Sequence, residues 1–433
     1  MTITGSVTKR KYLNILLPLF IGSTLAYLDR LNISFAALTM NKDLGFTAEI
    51  FGMGAGILFL GYVLFEIPGT IFASNRSPSK WLVRIMLTWG IACSSMTFIH
   101  TAGQFYFVRF LIGAAEASFY PVCYAVIIPR WFNAKERPKA ISIMLISLLT
   151  SNIIGSPVAG ALIGLSYFGL QGWQMLFLLE GVLAFIFGII LLFWLKDWPK
   201  DVNWMTEEEK KTRMEEYEQE IVLKNSVKKF TIWQALSDKT VLKLCLIYFL
   251  WISGFWGFGF WLPTVLKSVS KLGNSSVSFL IIVPMCIAAF FFVMNGKLAE
   301  KSGNLKPHIA IPMFIGALGM IAGTMTSNPV LSFIFTCITC VGVYVGMGVW
   351  WSVPTTFLSG SAAAAATGLI NSVGNIGGWV GPYLVGYSKT QTGSYHIAYV
   401  ILAVSMVLSG ILMLTLKDKK SEAVSTEKNT LNQ

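Results

Sequence analysis

Arg109 and Glu116 lie seven positions apart in Arg109-Phe110-Leu111-Ile112-Gly113-Ala114-Ala115-Glu116, inside a stretch otherwise apolar enough to cross a bilayer. An ionisable side chain at membrane depth costs at least about 2.5 kcal/mol unless it pairs, is hydrated or lines a pathway, so such residues are candidates for chemistry. On an α-helix, seven residues give about 10 Å of rise and a rotation about 20° short of two turns. Both side chains therefore share one face, which is expected to look onto a cavity. The chemistry available there is charge recognition and proton loading. A carboxylate in an apolar cavity keeps its proton more tightly and a nearby guanidinium loosens it, so opening and closing the cavity loads and releases a proton. Asp29 and Arg30 are a second acid and a second guanidinium within an apolar run. Counting rise from Tyr12 puts Asp29 roughly 25 Å up from one face of a core about 30 Å thick, and counting from Gln104 puts Arg109 about 8 Å down from the other. The expectation is an Asp29–Arg109 pair in the outer half with Glu116 near the midplane below it.

The elements that must position these residues are membrane helices. Of 433 residues, 55% are hydrophobic and only 12% charged, whereas soluble domains carry about 25% charge. Apolar runs of spanning length recur at about 12–37, 47–73, 81–99, 104–128, 138–164, 173–196, 240–266, 276–296, 307–326, 329–351, 363–388 and 394–416. Cations orient them. Lys9, Arg10 and Lys11 precede the first span, Arg76, Lys80 and Arg84 follow the second, and Arg130, Lys135, Arg137 and Lys139 follow the fourth. Lys297, Lys301 and Lys306 follow the eighth and Lys417, Lys419 and Lys420 the last, while alternate connections hold only Lys42, Lys267, Lys271 and Lys389. This bias places both termini in the cytoplasm, with Arg84 snorkelling to that surface. The net charge of +12 therefore reads as topology and excludes a nucleic-acid partner.

The chain divides into a six-helix bundle at 1–196, a cytoplasmic linker at 197–239, a second six-helix bundle at 240–416 and a cytoplasmic tail at 417–433. In the linker, Thr206 to Glu209 has capping-box spacing, and Glu207/Lys211 and Glu209/Arg213 are i,i+4 pairs, which predicts a solvated helix. The six cysteines fall inside spans and the three histidines near span ends, so neither a disulfide framework nor a metal or catalytic cluster is implied. No G-x-x-x-x-G-K-[ST] loop occurs, which argues against an ATP-driven pump. The reading is of a protein that is not an enzyme and needs no cofactor or metal.

Internal echoes support two halves. Asn152-Ile-Ile-Gly155-Ser-Pro157-Val-Ala-Gly160 in the fifth span is matched by Asn375-Ile-Gly-Gly378-Trp-Val-Gly381-Pro382 in the eleventh. The turn after the eighth, Gly296-Lys-Leu-Ala-Glu300-Lys-Ser-Gly303-Asn-Leu-Lys306, has a degenerate partner at Asn75-Arg76-Ser77-Pro78-Ser79-Lys80-Trp81. Repeated halves with a site between them at mid-membrane are the logic of an alternating-access carrier. The turn at Gly296 to Lys306 resembles the loop signature of the major facilitator superfamily. Tyr27-Leu-Asp29-Arg30-Leu-Asn32-Ile-Ser34, Gly61-Tyr62-Val-Leu-Phe-Glu66-Ile-Pro68, Arg109-x-x-x-Gly113-x-x-Glu116-Ala117, Trp173 to Glu180-Gly181 and Gly374-Asn375-Ile-Gly-Gly378 together resemble its anion:cation symporters, which include carriers of sugar acids, tartrate and phthalate.

The resemblance implies an all-α polytopic membrane protein of twelve transmembrane helices in two pseudo-symmetric six-helix bundles, the major facilitator fold. It further implies a monomer in the plasma membrane, the inner membrane of a bacterium, that imports a small organic anion with protons. Asp29 and Glu116 are then the proton-coupling residues, and Arg30 and Arg109 hold the substrate carboxylate. Tyr27 and Tyr62 donate hydroxyl hydrogen bonds. The interior of spans seven to twelve has neither acid nor arginine, so Trp256, Trp351, Asn371 and Asn375 are expected to supply shape and neutral polar contacts. Trp256 can stack on a flat ring or on the apolar face of a sugar acid. Glu66 and Glu180 are read as structural, Glu66 as the partner of a loop arginine or of backbone amides. The competing readings are a proton-driven drug or metabolite exporter and a transporter-like sensor.

Overall fold

With no water in a bilayer core to satisfy backbone groups, each apolar run closes its hydrogen bonds within itself as a helix. The computed structural model describes residues 5–167, 169–226, 234, 237–270, 272–354 and 360–416. Lys271, part of the linker and the tail at 417–433, with Lys417, Lys419 and Lys420, lie outside the described residues. In chain order the helices are α1 (Val7–Asp43), α2 (Ala48–Ser74), α3 (Pro78–Phe98), α4 (Ala102–Trp131), α5 (Arg137–Leu162) and α6 (Gly172–Trp194). The polar α7 (Glu207–Ser226) follows. Then come α8 (Lys239–Ser270), α9 (Asn274–Ser302), α10 (Leu305–Thr324), α11 (Pro329–Trp350), α12 (Gly360–Thr392) and α13 (His396–Leu414). Among the described residues, eleven of these are long and apolar enough to cross a membrane, and α12 occupies the eleventh span read from the sequence.

Burial separates central from peripheral helices. The most apolar windows of α8 and α4 are 72% and 67% buried, against 39% for α9 and 44% for α6. The exposed side of α6 carries Leu183, Ile186, Ile190 and Phe193, an apolar face suited to lipid. Helix starts follow local chemistry. Thr101 and Gln104 close a capping box at α4, and Ser77 caps α3. The degenerate turn before α3 lacks the acid of its counterpart, and Asp197 supplies one from beyond α6, accepting from Ser77 Oγ at 2.5 Å and Ser79 N at 2.8 Å. Gly303 ends α9 at φ +66°, a left-handed conformation that glycine adopts at no steric cost.

The fourth helix of each half is interrupted, near the middle in α4 and close to its end in α11. α4 breaks after Glu116, with Ser118 at φ 71°, and resumes through a wide turn at Val122–Ile127. α11 is regular to Tyr344 and resumes at Met347. Gly69 of α2 meets the first break so closely that an added Cβ would lie 2.5 Å from Ser118 Oγ. Arg84 does not simply snorkel, because its Nη1 donates to Ala115 O, at the break, at 3.2 Å and its guanidinium lies 4.1 Å from the Trp81 ring.

Helix α7 forms with its capping box, Glu209 N on Thr206 Oγ1 at 3.2 Å and Thr206 N on Glu209 Oε2 at 2.9 Å. Its ion pairs differ from the expected ones. Lys210 meets Glu207 and Lys211 approaches Glu215, while Arg213 turns from Glu209 to Glu216 and is fully buried. The reason is docking. Arg213 Nε donates to Arg130 O and Nη2 to Phe132 O, both at 3.2 Å, covering carbonyls left open at the end of α4.

Candidate functional site

The two halves enclose a cavity of about 400 Å³, within the usual range for small-molecule sites. Its first-half wall carries Tyr27, Arg30, Tyr62, Glu66, Tyr120 and Tyr124, and its second-half wall Tyr248, Trp256, Trp351, Asn371 and Asn375. Beyond Tyr27, Arg30, Tyr62, Phe255 and Trp256, which sit at or past mid-helix, the lining occupies the last third of α2 (Glu66, Ile67, Thr70, Ile71), α4 beyond its break, and the first half of α5, α8 and α12. Each of these segments lies toward the ends that carry the Lys/Arg-rich connections, so the cavity opens there. At the opposite end α2 and α12 touch backbone to backbone. A Cβ on Gly52 would lie 2.5 Å from Pro382 O, and one on Gly386 would lie 2.3 Å from Ala48 O. Phe51 packs edge-on to Trp261, whose Nε1 donates to Pro382 O at 3.1 Å, and Glu49 N donates to Thr390 Oγ1 at 3.0 Å.

Arg30 is the guanidinium of this cavity. Its Nη2 and Nε approach the two carboxylate oxygens of Glu116 at 2.8 and 3.1 Å, and both residues are buried. Tyr62, Tyr120 and Tyr27 surround it with ring centroids 4.8, 5.4 and 5.8 Å from Cζ, a cation–π cage that fixes its position. Glu116 stands behind Arg30, outside the cavity lining. The second-half wall is a packed aromatic surface. Tyr248 stacks on Trp350 at 5.1 Å and meets Trp351 edge-on at 5.4 Å, and Trp256 stacks on Phe260 at 5.0 Å.

Three expectations are corrected by this geometry. Arg109 is fully buried and does not line the cavity; its Nε donates to Gly54 O at 3.3 Å and its Nη2 to Ala55 O at 3.4 Å, which ties α4 to α2. The Asp29–Arg109 contact pair is not formed. Asp29 Oδ1 instead accepts from Cys93 Sγ at 2.8 Å, and Asp29 does not line the cavity either. Arg109 remains close enough to act electrostatically on Asp29, Glu116 and Glu180. Third, Glu66 meets neither loop arginine nor backbone amide through its side chain. It lines the cavity and its Oε1 accepts from Asn371 Nδ2 of the other half at 2.5 Å.

A buried cluster also forms where the sequence implied none. One ligand atom each from Asp29, Cys93 and Glu180, on α1, α3 and α6, lies within 4.8 Å of the others. The thiol donates a hydrogen bond to Asp29 and the Arg109 guanidinium is close by, an environment suited to balancing carboxylate charge. Tyr120, Tyr124 and Tyr248 were not singled out from sequence. The available signal was spacing: Tyr120 and Tyr124 repeat at i,i+4 beyond Glu116, and Glu66 follows Tyr62 at i,i+4.

The chain is 36% identical over 410 residues to a protein of Agrobacterium vitis named "Putative tartrate transporter", a match covering 94% of this chain and 90% of that protein. It is 31% identical over 409 residues to a protein of Acinetobacter baumannii named "Quinolone resistance transporter", covering 93% and 94%. Among solved structures it resembles a bacterial homologue of the human lysosomal transporter Spinster in an inward-facing, unoccupied conformation, with TM-score 0.71, 18% identity and coverage of 95% and 96%. Residues 19–382 match the model of the Major Facilitator Superfamily. Two six-helix halves around a central cavity, sealed at one end and open at the other, agree with that match: the chain is a membrane transporter of the Major Facilitator Superfamily and not an enzyme.

Proposed function

We propose that this transporter imports an organic carboxylate, of the sugar-acid, hydroxy-dicarboxylate or related class, by proton symport through alternating access. The observation that carries the reading is Arg30, a guanidinium on the cavity wall whose present partner, Glu116, sits behind it. While Glu116 is ionised it holds Arg30. Once Glu116 takes a proton, the guanidinium's fork is free for a substrate carboxylate, to which it can donate two parallel hydrogen bonds. Proton and anion then load together, which is the requirement for symport. Tyr27 and Tyr62 donate to the bound anion, Asn371 and Asn375 contact it from the second half, and Trp256 and Trp351 close over its apolar face. Asp29, with Glu180 and Arg109 nearby, is a second place for a proton. The Lys/Arg bias supports both termini cytoplasmic and the cavity open inward, and the bacterial relatives support an inner-membrane location; the transporter then works as a monomer, with a linker at 197–239 joining bundles at 1–196 and 240–416.

A relative named a quinolone resistance transporter and a carboxylate on the cavity wall favour one second reading, a proton-driven exporter. Proteoliposomes with an imposed pH gradient separate the two. Screening sugar acids, dicarboxylates and aromatic acids should find an anion whose accumulation follows the inward proton gradient and collapses with a protonophore. Anions without effect, together with proton-driven efflux of a cationic drug, would establish the exporter instead.

A further inference from the structure

We propose that Glu66 orients the transported anion and selects it for a hydroxyl group; this rests on the carboxylate reading above. Glu66 is the only carboxylate among the described residues lining the cavity, and Arg30 the only guanidinium. Its Oε1 is occupied by Asn371 Nδ2, but its Oε2 is buried without a hydrogen-bond partner. An ionised carboxylate only accepts hydrogen bonds, and leaving a buried acceptor unmet is unfavourable, so a ligand that displaces solvent from the site is favoured if it brings Glu66 a donor. A bare anion cannot: it offers acceptors and carries like charge. An anion with a carboxylate at one end and a hydroxyl beyond it can, provided the carboxylate lies at Arg30 and the hydroxyl at Glu66.

The placement of the groups fits that orientation. Glu66 is one helical turn beyond Tyr62 toward the open end of α2, and Tyr62 packs against Arg30. A carboxylate held at Arg30 therefore stands off from Glu66 by about a turn of helix, room for a short hydroxylated chain. A hydroxyl has one proton to give and Glu66 has one open oxygen. An ammonium brings three donors, and the nearby hydroxyl of Thr70 is already turned back to donate to Glu66 O at 2.7 Å. Because Glu66 and Asn371 belong to opposite halves, a hydroxyl read there touches both sides of the moving interface.

The test is equilibrium binding to the purified full-length protein, followed through tryptophan fluorescence, with matched anions: tartrate, malate, succinate and aspartate in one series, gluconate and hexanoate in the other. In at least one series the hydroxylated member should bind about tenfold or more tightly than its unhydroxylated partner, since sites built around a hydroxyl reject analogues that lack it. Glu66→Leu should bring that ratio close to one while retaining the unhydroxylated anion, and Glu66→Gln should reduce it several-fold. If the Leu variant does not fold, the Gln variant decides. A wild-type protein indifferent to the hydroxyl, a ratio unchanged by the substitutions, or tighter binding of aspartate than of malate would overturn the inference while leaving the carboxylate reading intact. Failure of every anion in both series would instead remove that reading and the inference with it.

Discussion

Arg30 and Arg109 show how far chemistry is legible from residue type and spacing. Both were identified as guanidiniums able to hold a carboxylate, and Arg109 and Glu116 do lie about two turns apart on one helix. Rise per residue gives height in the membrane, but it says nothing of which neighbouring helix a face meets. The three-dimensional packing assigns Glu116 to Arg30 and leaves Arg109 on the carbonyls of Gly54 and Ala55. The two arginines should therefore respond differently to the same substitution. Arg30→Lys keeps the charge but loses the planar fork, and should weaken anion transport about tenfold or more if a charge-assisted hydrogen bond of about 1.5–3 kcal/mol is lost. That loss should register in KM with thermal stability little changed. Arg109→Lys should lower the melting midpoint in detergent and leave KM within about threefold of wild type, since what it loses is the tie from α4 to the Gly54 and Ala55 carbonyls of α2 and not a contact with the cavity. A KM effect from Arg109→Lys equal to that of Arg30→Lys would return Arg109 to the substrate site.

At the scale of elements, the spans were legible because a bilayer imposes length and apolarity together, and the capped linker helix because Thr206 and Glu209 have an explicit spacing. What that helix does was not legible. Its surface looks like a solvated charge ladder, yet Arg213 keeps Glu216 with Nη1 and turns Nε and Nη2 onto the end of α4, because unpaired carbonyls near a helix C-terminus attract a guanidinium. Arg213→Ala should strand the Arg130 carbonyl, while Phe132 O keeps its bond from Arg137 Nε at 3.0 Å, at a cost of about 1–3 kcal/mol. The expected readout is a lower melting midpoint and faster proteolysis within 197–239, with KM retained. Unchanged stability would show that α7 is only a tether. The break in α4 also escaped sequence reading: no proline or glycine stands at 116–118, and the left-handed Ser118 is stabilised from outside, its Oγ accepting from Trp81 Nε1 at 2.9 Å.

For the whole molecule, two repeated halves and a basic-end bias were readable, while the conformational state was not, since it depends on which ends of the helices touch. Here the contact of α2 with α12 at Gly52 and Gly386 closes one end. Alternating access requires that contact to form and break. Gly52→Leu places a side chain against the Pro382 carbonyl, where backbone must move, and should hold this end apart. A cysteine at Tyr383 should then react faster with a membrane-impermeant reagent from outside intact cells, with transport lost and anion binding retained. Equal labelling with and without Gly52→Leu would mean that this glycine contact is not the seal.

The central claim is that a proton on Glu116 releases Arg30 for the anion. Glu116→Gln mimics the protonated residue permanently, so it tests that claim most directly in proteoliposomes, once the anion has been identified by the uptake screen. Counterflow exchange of the anion should persist at near wild-type affinity and lose its dependence on pH, while accumulation driven by an imposed pH gradient should disappear. Continued uphill accumulation by Glu116→Gln would contradict the account.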